Sequence, residues 1–210
     1  MIEQKAFFSL NYGMYLLSSR QGDVVSGCVV NTLAQVTSAP LQMTVAVNKE
    51  NYTTDIIQKS GLFTAVALTE DAGMELIGAF GFHSSRDKDK FDGFRTRADE
   101  NGIPYICQQT AARFSCRVKG QLDLGTHILF LGEVLAAEPL EDRPPMTYAY
   151  YHQVKKGITP PKASSYLPPK PQKGYRCRIC GHILESDTIP QGFVCPVCGH
   201  GPEDLEKILD

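Results

Sequence analysis

The chain holds 210 residues, 42% of them hydrophobic and 21% charged, with a formal charge of -2 at pH 7. That length accommodates one domain of about 150 residues and a small appendage. Its near-neutral charge offers no basic field to a phosphate backbone, and no stretch approaches the roughly 20 apolar residues of a spanning helix, so neither nucleic acid nor membrane is expected as a partner.

At the start, MIEQKAFFSL lacks the basic region, apolar run and small-residue cleavage site of a secretory leader, so the protein is read as cytoplasmic. Short β-type runs then recur at 24–30, 43–47, 62–68, 113–118 and 127–135. In the last of these Ile128, Phe130 and Val134 face one side and His127 and Glu133 the other, the two-residue period of a strand with one buried face. Helical patterns are fewer. One spans 52–59 and is stopped by Ser60 and Gly61; another spans 72–80, with Asp71 as its expected N-cap. The expected fold class is mainly β, a barrel with a few helices. Cys28, Cys107 and Cys116 are scattered along this body and are expected to be buried, inert thiols. From 157 to 173 the sequence GITPPKASSYLPPKPQK concentrates five of the thirteen prolines. It reads as a semi-extended linker reaching on the order of 50 Å, which lets the tail move. The divisions are thus a body at 1–156, a linker at 157–173 and a tail at 174–210.

The tail places Cys177, Cys180, Cys195 and Cys198 in a C-x2-C-x14-C-x2-C spacing, with Gly181 and Gly199 closing the two pairs. Two ligands separated by two residues grip one ion from a tight turn, and glycine adopts the positive φ that aims backbone N–H groups at the sulfurs. Under 40 residues with few large apolar side chains cannot fold unaided, so the metal-free tail is expected to be disordered. Tetrahedral sulfur ligation by itself leaves zinc and iron open. His182 and His200 follow the glycines and are expected to be exposed rather than ligands.

The tail resembles the short-loop rubredoxin domain found at the end of rubrerythrins. The matching residues are Tyr175, the CxxCG at Cys177 to Gly181, the CPVCG at Cys195 to Gly199, and the closing Pro202, Leu205 and Ile208. It departs from full-length rubredoxins in lacking their longer loop between the knuckles. The resemblance implies a small rubredoxin-like domain with one iron ion cycling between Fe2+ and Fe3+.

The body has neither a G-x-G-x-x-G turn nor a P-loop. Asn48 and Lys49 precede a predicted helix whose first turn holds Tyr52, Thr53 and Thr54, a place where unpaired N–H groups and the helix dipole favour an anion. The segment HSSRDKDKF, with Ser84, Ser85, Arg86 and Lys90, offers further phosphate contacts. Alone, each is equally a solvated loop or helix start. Together with SGCVVNTLAQVTSAP at 26–40 they resemble the flavin reductase-like family, over about residues 5 to 155. That resemblance implies an FMN-binding split β-barrel, usually a homodimer with FMN at the subunit interface. It puts Asn31, Thr32, Leu33, Gln35, Val36 and Thr37 along the isoalloxazine ring and ribityl chain. Asn48, Lys49, Thr53, Ser84, Arg86 and Lys90 are placed towards the phosphate. Tyr148, Tyr150, Tyr151 and His152 either line the same pocket or pack the core, with packing the more common role of such a cluster; His127 is equally ambiguous.

The two resemblances together match the fusions grouped as high-molecular-weight rubredoxins. They imply electron transfer from NADH or NADPH, directly or through a reductase, via FMN to the iron. A flavodiiron oxygen or nitric oxide reductase is the acceptor this implies. No protein nucleophile or general base is expected, because the flavin carries the chemistry. Two rivals remain at this point: a binding module with a structural zinc ribbon, and a reductase that releases free reduced FMN.

Overall fold

The computed structural model describes residues 2–155, 157–160, 163, 165 and 174–208. After a 3-10 turn at Gln4–Ser9 the chain forms β1 (Tyr15–Gln21), β2 (Val24–Val30), β3 (Ala34–Ser38), β4 (Leu41–Asn48), α1 (Tyr52–Ser60), β5 (Leu62–Leu68) and α2 (Met74–Gly81). It continues through β6 (Thr96–Ala98), β7 (Pro104–Ile106), β8 (Thr110–Asp123), β9 (His127–Pro139) and α3 (Tyr148–Gln153). The tail adds β10 (Gly174–Cys177), β11 (Ile183–Leu184) and β12 (Leu205–Ile208). The protein is therefore mainly β, as expected. Among the described residues no helix is long and apolar enough to cross a membrane.

Seven strands form one sheet in the order β2-β1-β5-β8-β9-β4-β3, antiparallel throughout. The sheet curls, so that residues from strands near both ends meet in a single interior: Leu17, Val30, Val45, Val47, Phe63 and Phe130 share one apolar cluster. A second cluster on the outside of the sheet joins Leu16, Val66 and Leu68 to Leu76, Ile77 and Phe80 of α2 and Tyr151 of α3. Fully burying side chains of this size contributes about 1.5 to 3 kcal/mol each, and these two clusters fix α2 and α3 against the sheet.

The strands that sequence periodicity missed have physical reasons for hiding. In β1 four consecutive residues, Leu16 to Ser19, are buried, so no alternation exists. β3 is an edge strand with every residue exposed. β8 and β9 run far beyond the expected 113–118 and 127–135 because register shifts at Ser115/Cys116 and Val118/Gly120 break the two-residue pattern while the pairing continues.

The first predicted helix is α1. The Asn51 side chain accepts from the Thr53 N–H at 3.2 Å, and Gly61, at φ 69°, closes the other end through its N–H to the Ile57 carbonyl. The second helix needs correction: it begins at Met74, with Gly73 as cap. Asp71 cannot cap it, because its carboxylate is taken by the Thr69 hydroxyl and the Arg143 guanidinium.

The start of the linker is also not the free strap that its prolines suggested. Tyr151 donates to the Ile158 carbonyl at 3.1 Å, the Tyr148 and Thr159 hydroxyls meet at 2.7 Å, and the Asn31 amide donates to Ser165 Oγ at 3.0 Å. The expected extended stretch at 166–173 lies outside the described residues.

Candidate functional site

Two knuckles of near-identical backbone build the four-cysteine group. In the first, the Cys177 N–H donates to the His182 carbonyl and the Gly181 N–H to the Cys177 carbonyl, both at 2.8 Å; in the second, Cys195 donates to His200 at 2.8 Å and Gly199 to Cys195 at 2.9 Å. Gly181 and Gly199 sit at φ 81° and 73°, the conformation for which glycine is needed. The four sulfurs lie within 4.8 Å of one another, with Cys177 Sγ 3.6 Å from Cys198 Sγ and Cys180 Sγ 3.5 Å from Cys195 Sγ. An ion about 2.3 Å from each corner of a tetrahedron sets its sulfurs roughly 3.8 Å apart, so the cage fits a tetrathiolate metal and is too open for disulfides.

All four sulfurs are withdrawn from water, and they are the only buried side chains among the described tail residues. Without an ion, burial pushes the Cys198 thiol up to about 12 and raises Cys180 as well, opposed by the backbone N–H groups of His200 and His182. A cation reverses that balance by stabilising thiolates. His182 and His200 belong to no ligand set, yet both are half-buried rather than exposed. His200 stacks on His83 of the body, with ring centroids 5.0 Å apart.

A cavity of about 490 Å³ opens between the ends of β2 and β4, the start of α1, the turn after α2, and α3. Its wall is apolar at Val30, Val47, Phe80 and Tyr148, and polar at Asn31, Asn48, Asn51 and Ser84. A space of this size, lined by aromatic and aliphatic groups with a few fixed polar ones, suits one cofactor-sized molecule. The N-terminal turn of α1 faces it through Asn51 and Tyr52, which places the favourable end of the helix dipole at one edge.

Three of the twelve residues expected at a flavin line this cavity: Asn31, Asn48 and Ser84. Several others stand just behind it. Thr32 bridges β2 to β4, donating to the Ala46 carbonyl at 2.8 Å and accepting from the Ala46 N–H at 3.1 Å. Leu33 is buried in the interior cluster, and Thr53 is buried with its hydroxyl 2.9 Å from that of Ser26. Lys49 pairs with Asp123 at 2.5 Å, while Arg86 pairs with Asp55 at 2.8 Å and lies 4.5 Å over the Tyr52 ring. Gln35, Val36 and Thr37 lie on exposed β3, away from the cavity. Lys90 departs most from its expected position at the phosphate end. Its ammonium turns inward, donating to the Gly27 carbonyl at 2.8 Å and the Phe80 carbonyl at 3.1 Å, and burial lowers its pKa to about 8.

Tyr148 and Tyr151 prove to be both packing and lining residues. His127 also lines the cavity because the β4–β9 register sets it opposite Asn48, a pairing that only long-range structure supplies. His83, Arg178, Ile179 and His200 also line it, the last three from the tail. Nothing in the local sequence signalled those three.

The description "Flavin reductase like domain" matches residues 7–159, and "Rubrerythrin, rubredoxin-like domain" matches residues 175–206. A high molecular weight rubredoxin of Moorella thermoacetica is 37% identical over 191 residues, covering 88% of this chain and 83% of that protein. A ferric-chelate reductase (NAD(P)H) of Archaeoglobus fulgidus is 39% identical over 169 residues, covering 80% of this chain and 100% of that protein. Among solved structures, the NADH:FAD oxidoreductase of Streptomyces globisporus superposes with a TM-score of 0.61 at 24% identity, covering 69% of this chain and 85% of that one. This last likeness concerns the fold.

Proposed function

The chain belongs to the flavin reductase like family and carries a rubredoxin-like domain behind it, and on that premise we propose that this oxidoreductase passes electrons from NADH or NADPH to the four-cysteine centre and on to a separate redox protein. FMN and one iron are the cofactors that the two domain matches and the cysteine cage support. Bound in the body, FMN would supply the conversion of a two-electron hydride into single electrons, and an iron held by Cys177, Cys180, Cys195 and Cys198 would supply a one-electron acceptor.

The chain's own residues contribute position and exclusion of water. Asn31, Asn48 and Ser84 offer hydrogen bonds from the cavity wall, while Val30, Phe80 and Tyr148 supply the flat apolar surface an aromatic ring needs. The start of α1 is the favourable end for a phosphate. The knuckles shield the ion, and their backbone N–H groups tune its sulfurs. One observation carries the reading: Phe82 packs against the four cysteines and also lines the cavity, so the two candidate centres share a side chain as their common wall.

The reading extends to a cytoplasmic homodimer serving a flavodiiron protein or similar acceptor. Exposed β3, with Val36 about half accessible, is an open sheet edge of the kind a second subunit covers. Gln35, Val36 and Thr37 then approach a cofactor across the subunit interface.

Anaerobic mixing with NADH or NADPH, recording the flavin and ferric-thiolate bands separately, is the test. The flavin band should bleach first and the iron band after it. Bleaching of neither band refutes the proposal, and a colourless, zinc-containing tail assigns it a structural role instead. Adding a flavodiiron enzyme to the reduced protein should reoxidise the iron rapidly.

A further inference from the structure

The cavity is closed partly by residues that do not belong to the barrel. Ile158, Pro160 and Ala163 cover it from the start of the linker, and Arg178, Ile179 and His200 from the cysteine module. The module is held by a small surface at the end of α2. Phe82 packs into the cluster of the four cysteines, His83 stacks on His200, and the Val197 backbone rests over Gly78, where an added Cβ would sit 3.7 Å from its carbonyl.

We propose that the cysteine module is a removable lid on the cofactor cavity, docked through Phe82, His83 and Gly78, so that the docked module and a hydride donor exclude one another. This rests on the cavity being the flavin site, as proposed above. The cavity, about 490 Å³, falls in the range that holds one cofactor-sized ligand, so on the side walled by Arg178, Ile179 and His200 a pyridine nucleotide can stack on a bound flavin only after the module leaves. Among the described residues the module meets the body through one aromatic side chain, one ring stack and a backbone contact, and the start of the linker beside Gly181, where Ile158 and Thr159 approach it. Contacts between domains of one chain that are this limited separate readily. Docked, the module sits where it receives electrons; undocked, it opens the cavity to the donor and frees the same knuckle face for an acceptor.

Gly78 supplies the test because it lies outside the cavity wall. Alanine there meets Val197 at ordinary van der Waals distance, whereas the longer side chains of leucine and glutamine extend further towards the docked knuckle; each of these residues is also a better helix former than glycine. The full chain is loaded with FMN, with zinc replacing iron so that no electron moves. Two quantities are then compared across Gly78→Ala, Gly78→Leu and Gly78→Gln: amide hydrogen exchange at 78–83 and 197–200, and quenching of flavin fluorescence by acrylamide. Exchange in β5 reports that the barrel remains folded.

Gly78→Leu and Gly78→Gln should raise exchange in both segments at least tenfold and the quenching slope several-fold, with Gly78→Ala like the parent. Equal exchange in all four proteins overturns the dock. Faster exchange with unchanged quenching overturns the lid. If the contrast appears but NADH and NADPH bleach nothing in the iron-loaded protein, the reductase reading falls and the lid stands; if both bands bleach but the contrast is missing, the lid falls and the reductase reading stands.

Discussion

Lys90 shows how a residue's chemistry can be read correctly and its address wrongly. A lysine among serines and an arginine looks like a phosphate contact, but the carbonyls of Gly27 and Phe80 capture its ammonium, and only 3% of the residue remains exposed. Burial lowers its pKa to about 8, below the ordinary 10.5. Between those two values the unfolded chain holds more of the Lys90 proton than the folded one, so Lys90 contributes stability that rises with pH across about 8 to 10.5, against the opposite trend of the buried Cys116 and Tyr151, whose pKa values are raised. Denaturant unfolding at intervals over that window should show the parent gaining stability relative to Lys90→Met as pH rises. The scattered cysteines behave as their composition suggested: Cys28 and Cys116 are almost fully buried, and burial raises both thiols, Cys116 to about 12.

Among the elements, β8 and β9 carry the barrel, and Gly132 of β9 marks where they leave no room. A Cβ there would stand 2.8 Å from the Phe63 ring and 3.0 Å from Cys116 Cβ, both in a core side chain's fixed position. Gly132→Ala should therefore destabilise the barrel by about 1 to 3 kcal/mol. Gly120, on β8, has nothing within 4 Å of an added Cβ, and its alanine variant should stay within about 0.5 kcal/mol of the parent. Thermal or urea unfolding of the two variants side by side checks both values. Helix α1 was legible because its helical pattern and its terminating glycine are both local. α2 began later than expected because Asp71 answers to Arg143, 72 residues away in sequence.

For the molecule as a whole, the two parts derive their stability from different sources. The barrel rests on two apolar clusters, whereas among its described residues the tail buries only the four cysteines, with Ile179, Phe193, Val197 and Leu205 packed partly against them. Removing the ion with a chelator forfeits binding free energy on the order of 10 kcal/mol in comparable sites. Amides from 174 to 208 should then exchange at unfolded rates while those of β5 and β8 stay protected. Cys195→Ser should reproduce that pattern without chelator. Retained protection in the tail would show that it folds without metal, against the sequence expectation.

The sequence by itself determined the metal cage and the mainly β class, because each depends on local signals: ligand spacing, glycine at positive φ, alternating apolar residues. It also supplied Asn31, Asn48 and Ser84 of the cavity. Only the tertiary structure decided that β3 lies at an open edge, that His127 faces Asn48, that Lys90 turns inward, and that Arg178, Ile179 and His200 close the cavity from the far end of the chain. Those facts come from strand register and from the packing of one domain on another, and such contacts join residues so far apart in the chain that they leave no periodic trace in it.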